Sequence, residues 1–297
     1  MQTSAIPYQT ILRVLFLGSL WGPSFLLIKI CLTDLPPITL AAIRFFIAAC
    51  VMWLVIYLKN IPSVKDITTL KHLFVMSIFS MALPISLICF AEQHISSALA
   101  GIINGTVPLG TVFLAHFFIK GEQITLKRLA GVLSGLIGFL ILLLPTVLDQ
   151  NITSDTFGLL AVGLAALCYA TGIVYAKKFL ANTTGLIVPT IQLSFATLLC
   201  SGFALVSEQP WLLAMPSLSS IASLGALSLF GTVGAFIMYY QIITKDGPVV
   251  LSMTTYLLPI YAVILGAIFL DEPLNWRVFA SIIFILFGLV LINLKSR

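Results

Sequence analysis

Apolar residues in this chain come in long unbroken runs separated by short polar breaks. Ten runs stand out, at about 11–30, 38–58, 73–91, 98–119, 126–147, 157–180, 186–206, 218–243, 249–270 and 276–294. Each is close to the roughly 20 residues an α-helix needs to cross a hydrocarbon core of about 30 Å. The period-2 alternation of a barrel strand is absent. In lipid a spanning backbone has to satisfy its own hydrogen bonds, so the runs predict helices. The expected fold is an all-α polytopic membrane protein with ten transmembrane helices.

The pattern is also written twice. Ala98–Leu144 holds Pro108, Glu122, Lys127 and Gly138 in the order in which Val249–Leu294 holds Pro259, Glu272, Arg277 and Gly288. Glutamate to base is five residues in both copies and glutamate to glycine sixteen; only proline to glutamate differs, fourteen against thirteen. Earlier in each half, Trp21 to Lys29 and Tyr169 to Lys177 are both eight residues, and Lys29 to Arg44 and Lys177 to Gln192 both fifteen. The polar stretch Leu148–Thr156 divides the copies. The expected halves are 1–148 and 149–297, with five helices apiece. An odd number turns the second copy upside down relative to the first, which is the arrangement of an inverted repeat.

Composition sharpens this. The chain is 60% hydrophobic and 8% charged, where soluble domains carry about 25% charged residues. The net charge of +5 follows from topology and gives no reason to invoke nucleic acid. With the N-terminus in the cytoplasm, twelve of the fifteen lysines and arginines fall on that side and only Arg277 falls in an outer loop. This positive-inside bias predicts a multi-pass protein of the cell (inner) membrane with both termini cytoplasmic. The first run is longer than the apolar core of a signal peptide and reads as a retained helix. Five cysteines are scattered over separate runs without CxxC or Cys/His spacing, so neither a metal nor a cofactor is expected.

Polar and aromatic residues at membrane depth are the candidates for chemistry. In the first run Gly18 and Gly22 form a small-xxx-small face, and Pro23 removes a helical hydrogen bond, leaving a carbonyl for Ser24 or water. Trp21, Ser24, Asn104, Thr106, Tyr169, Tyr239 and Tyr256 are the candidate lining of a substrate cavity, with an interfacial aromatic belt competing for Tyr239. Lys29, Arg44 and Glu92 are candidates for a gate or ion-coupling site, because intramembrane charge is costly. Their structural alternatives are snorkelling or pairing with Asp34 for the two bases, and the outer interface for Glu92. Glu122 and Glu272, at helix turns, read as loop anchors, with a helix N-terminus as one candidate partner. There is no GxxxxGK[ST] loop and no GxSxG, and His72, His94 and His116 lie apart. The leading reading is a secondary transporter of a small organic metabolite, functional as a monomer in a lipid bilayer. The rivals are a structural or lipid-handling membrane protein and, last, an intramembrane enzyme.

Leu20-Trp21-Gly22-Pro23-Ser24-Phe25, Arg44, Pro108, Gly121-Glu122 and Gly131 through Gly138, with Pro259, Glu272 and Gly288, resemble the EamA-type family of the drug/metabolite transporter superfamily over about residues 10–294. Asp271 and Ser281 depart from the glycines usual there. The resemblance implies ten helices in an inverted five-plus-five arrangement and a central cavity lined mainly by helices 1, 3, 4, 6, 8 and 9. It also implies export of amino acids or related compounds by alternating access.

Overall fold

The computed structural model describes residues 8–120, 124–148, 154–180, 183, 185–245, 251, 254 and 257–293. Its elements are helices, with no strand among the described residues. We number them α1 (Tyr8–Cys31), α2 (Pro37–Leu58), α3 (Ile67–Glu92), α4 (Ser97–Phe118), α5 (Leu126–Leu148), α6 (Ser154–Phe179), α7 (Ile187–Ser207), α8 (Leu218–Tyr239), α9 (Leu257–Phe269) and α10 (Trp276–Asn293). The first eight contain stretches long and apolar enough to cross a membrane, while α9 and α10 are shorter apolar helices. Expected runs and observed helices agree closely except at 249–256, where only Leu251 and Thr254 are described.

Local chemistry sets the helix ends and the irregularities. Pro37 occupies the first turn of α2, where its missing N–H costs nothing. Asp66, Ser96 and Ser217 cap α3, α4 and α8 through the amides of Thr69, Leu99 and Ser220. Pro23 breaks α1 after Trp21, as expected, and the helix resumes at Ser24. α4 is interrupted in the same way at Gly105–Thr106, just before Pro108. Two π-helical turns, Ile78–Ala82 in α3 and Leu229–Gly234 in α8, widen their helices in mid-course.

Five pairs of helices from the two halves pack against each other, each pair antiparallel. Along α5 and α10, Gly131 lies against Gly288, the Ser134 hydroxyl donates to the Phe284 carbonyl (2.7 Å), and Gly138 lies against Ser281. Along α2 and α7, Glu208 meets Thr39 and the Trp53 indole donates to Ser194 Oγ (2.9 Å). Along α4 and α9, Gly101 faces Ala262 and Gly105 faces Pro259. α3 meets α6 through His72–Tyr175 and Ser80–Gly172, and α1 meets α8 through Trp21–Tyr239, Ser24–Gly231 and Cys31–Ser220. The glycines make these approaches possible: a Cβ on Gly288 would stand 2.5 Å from the Gly131 carbonyl oxygen. Gly18 and Gly22 pack on Leu257 and Tyr261 of α9, so the small face of α1 does receive a helix. Outward, Phe46, Phe117, Phe203, Phe287 and many leucines are exposed, as suits a surface solvated by lipid.

Candidate functional site

Charged and polar side chains gather inside the bundle where α1, α2, α3 and α8 meet. Arg44, in the second and third turns of α2, is buried. Its Nε donates to Thr232 Oγ1 at 3.0 Å, and that hydroxyl in turn donates to the Leu227 carbonyl at 3.0 Å, inside the π-helical turn of α8. Such turns free backbone groups and recur at functional sites. Arg44 Nη1 and Ser24 Oγ are both buried without a hydrogen-bond partner from the protein. Ser24 Oγ and the other terminal nitrogen of the same guanidinium, Nη2, both border Gly231: a Cβ built there would stand 3.1 Å from the first and 3.8 Å from the second.

Glu92 ends α3, fully buried, and neither carboxylate oxygen has a hydrogen-bond partner. Lys29, Glu272 and Arg44 are within electrostatic reach of it. Lys29, however, spends its ammonium on the carbonyl oxygens of Glu92 and Ile95 (2.9 Å to the latter), closing off the C-terminus of α3. Tyr169 of α6 packs on the main core and lies within reach of the Arg44 charge.

The structure thus revises several placements. Neither Lys29 nor Arg44 pairs with Asp34: Lys29 caps a helix, Arg44 turns inward, and Asp34 serves α8. Glu92, at the end of α3, is buried within the protein and not exposed there. Trp21 packs against Tyr239 with the rings tilted by 54° and 6.2 Å between centroids, joining α1 to α8 at the α1 break. Asn104 holds a buried, unpartnered Oδ1 beside the α4 break, whereas the Thr106 hydroxyl is satisfied by the Ile103 carbonyl (2.7 Å). Tyr256 and Glu122 lie outside the described residues. Ser24, Arg44, Thr232 and Glu92 form one neighbourhood, and Trp21, Tyr239 and Asn104 lie along the breaks of α1 and α4.

Thr232 and Gly231 escape a reading of the sequence, since a threonine and a glycine within a small-residue helix carry no signal of their own. Their counterparts offer one. In α7, Gln192, the spacing match of Arg44, donates to Met76 Sδ (3.2 Å) next to the other π-helical turn. There Ser80 Oγ fills the notch at Gly172, 2.1 Å from where a Cβ would be. Gly172 is the match of Ser24 by the same offset of 148 that relates Lys29 to Lys177.

Glu272 accepts from the amides of Ser97 (2.6 Å) and Ala98 (2.9 Å), anchoring α4 by its N-terminus as expected. Glu208 does the same for Ile38 (3.0 Å) and Thr39 (2.6 Å) of α2. The described residues hold no His/Cys/Asp/Glu group able to bind a metal, and the five cysteines are free.

A helical membrane protein with broken and π-bulged helices around buried, unsatisfied charge is built as transporters are. Two stretches of the chain, 9–144 and 156–294, match the EamA-like transporter family. The chain belongs to that family and is a multi-pass membrane transporter. It is similar to the "Uncharacterized inner membrane transporter YedA" of Escherichia coli (strain K12), at 26% identity over 93% of this chain and 87% of the relative. Likewise, "Protein PecM" of Dickeya dadantii (strain 3937) is 25% identical over 92% and 88% of the two chains. The "Uncharacterized transporter YetK" of Bacillus subtilis (strain 168) is 26% identical over 93% and 84%. One crystal structure shares the fold, with a TM-score of 0.67, 18% identity and 96% of both chains covered.

Proposed function

We propose that the protein is a secondary transporter that moves a small organic metabolite, an amino acid or related compound, by alternating access, with export as the working direction. Ten helices cross the membrane as two inverted five-helix repeats, divided at 148/149, with both termini in the cytoplasm. The observation that carries this reading is the antiparallel pairing of matched helices. α2 with α7, α4 with α9 and α5 with α10 are counterparts by sequence spacing, and each runs against its partner. That pairing supports a two-fold axis lying across the helices, in the membrane plane. Exchange of the two halves' conformations then turns one open face into the other.

In this reading Trp21, Ser24, Asn104, Thr106, Tyr169, Tyr239 and Tyr256 line the route, and Lys29, Arg44 and Glu92 set its charge. An apolar wall with few polar anchors suits a small amphipathic solute. The test is flux of a metabolite panel in proteoliposomes, run in both directions. We expect at least one solute to cross saturably, and Trp21→Ala and Tyr169→Ala each to cut that flux at least tenfold. Truncating a buried aromatic also costs about 3–5 kcal/mol in packing, so melting temperatures are measured on the same preparations. Flux that falls only in step with melting temperature removes both residues from the route, and no flux for any solute leaves the structural or lipid-handling reading.

A further inference from the structure

We propose that Arg44 and Ser24, across the bare backbone of Gly231, form a subsite for one carboxylate group of the transported solute. The inference rests on the transport reading and adds the chemistry of what is carried. Arg44 has five N–H donors in a rigid fork. One is spent on Thr232, which cannot return the favour because its own proton goes to Leu227. Nη1 has no partner although only 5% of the residue is exposed, and Ser24, 9% exposed, has an equally idle hydroxyl. A buried donor left unmade costs about 1–3 kcal/mol, more when charged. Evolution tolerates that where a ligand supplies the partner.

Three features point to a carboxylate. The fork geometry of a guanidinium matches a planar two-oxygen acceptor, and a hydroxyl adds a third donor. Glu92, the nearest acid, does not serve as that acceptor, since both its oxygens are unpartnered. Lys29 is spent on main-chain carbonyls and Glu272 on the amides of Ser97 and Ala98, so neither serves this spot, and no described acid bonds the guanidinium of Arg44. A monoanion supplies that counter-charge, and a doubly charged phosphate would stand against Glu92.

The matched location in the other half shows what a closed version looks like. There the arginine is Gln192, bonded to Met76, and the serine hydroxyl of Ser80 occupies the notch at Gly172. At the Arg44 site the serine and glycine have exchanged helices and the charge has been added. The molecule therefore has one such subsite, not two.

Gly231→Ala tests it with little risk to folding, because alanine favours helix. The new methyl would stand 3.1 Å from Ser24 Oγ and 3.8 Å from Arg44 Nη2, in the place of the ligand's carboxylate. Straight-chain C3–C6 monocarboxylates and phenylacetate are titrated against the purified full-length protein beside their primary amides, and stabilisation against heat is read. We expect at least one acid to stabilise the protein, with its amide at least tenfold weaker. Gly231→Ala and Arg44→Lys should each weaken the acid at least tenfold, while Gly231→Ala melts within a few degrees of the parent. Equal effects of acid and amide, no effect of any acid, or full binding by Gly231→Ala overturns the subsite. Flux confined to solutes without a carboxylate also overturns it but leaves the transport reading standing. Absence of all flux removes that reading; a carboxylate effect lost in Gly231→Ala would then keep a carboxylate site here and overturn its role in transport.

Discussion

Asp34 sits in the turn after α1 but works for α8. Its Oδ2 accepts from the Ser217 hydroxyl, the Ser220 hydroxyl (2.6 Å) and the Ser217 amide (2.9 Å). Those bonds, the Ser217 hydroxyl first and Ser220 next, hold its carboxyl below the usual 3.8. A carboxyl depressed in the folded state stabilises the fold above its unfolded value and loses that contribution as pH falls through the folded value. Asp34→Asn should therefore melt lower than the parent at pH 7, and the gap should narrow as pH drops below about 3.8. Parallel melting curves from pH 7 to pH 3 would remove the charge from the cap. None of this was legible in the sequence, which offered Asp34 as a partner for Lys29 or Arg44. Arg44 shows why. Counting about 1.5 Å per residue places it on the order of 9 Å from the start of α2, within reach of headgroups. Depth along a helix says nothing of the direction around it, and here α8 covers that face. The residue types that matter in an intramembrane site were visible because charge is rare there. Their partners were not, because serine, threonine and glycine also serve ordinary helix packing.

At the scale of elements, the repeat was legible because spacing survives when identity does not. Offsets of 148 between Trp21 and Tyr169 and of 151 between Pro108 and Pro259 carry over to irregularities the sequence does not announce. The π-helical turns begin at Ile78 and Leu229, also 151 apart. The breaks follow their prolines and glycines, Pro23 in α1 and Gly105 with Pro108 in α4. α6, the counterpart of α1, has no proline and runs unbroken from Ser154 to Phe179. The close antiparallel contact of α5 with α10 gives the sharpest packing test. A methyl on Gly288 would press on backbone, 2.5 Å from Gly131 O and 3.1 Å from Gly135 N, and backbone cannot rotate away. Overpacking of that kind costs about 1–3 kcal/mol, so Gly288→Ala should lower the melting temperature by several degrees. Gly202 of α7 has nothing within 4 Å of a built Cβ, and Gly202→Ala should be neutral or gain up to about 1 kcal/mol from helix propensity. Equal behaviour of the two variants would mean that α5 and α10 do not approach this closely.

For the molecule as a whole, the end at which α1 finishes and α2 begins is tied shut by carboxylates that cross between the halves. Asp34 reaches the start of α8, Glu208 the start of α2 and Glu272 the start of α4. Each places negative charge on first-turn amides that lack a helical partner, at the positive end of a helix dipole. In the proposed orientation, argued from the lysine and arginine bias, this end faces outside. If transport runs by alternating access, the halves have to part here, and these caps oppose that step. Hydrogen bonds to a charged group are worth about 1.5–3 kcal/mol, and every 1.4 kcal/mol shifts an equilibrium about tenfold. Removing Glu208 and Glu272 together should therefore populate the outward-open form at least tenfold more. Cys31 supplies a reporter: it lies at this end of α1, fully buried, its Sγ 3.5 Å from the Ser220 carbonyl. With the other four cysteines replaced by alanine, a membrane-impermeant maleimide added from outside should label Cys31 slowly in the parent. Labelling should be about tenfold faster in Glu208→Ala/Glu272→Ala. The double variant is also labelled after denaturation, and its melting temperature is measured, so that unfolding is not mistaken for opening. Faster labelling that a transported solute modulates identifies the caps as the outer latch. An unchanged rate in a folded variant shows that they serve only to hold helix ends, and that outer closure rests on the apolar packing around Cys31, Leu35 and Ile95.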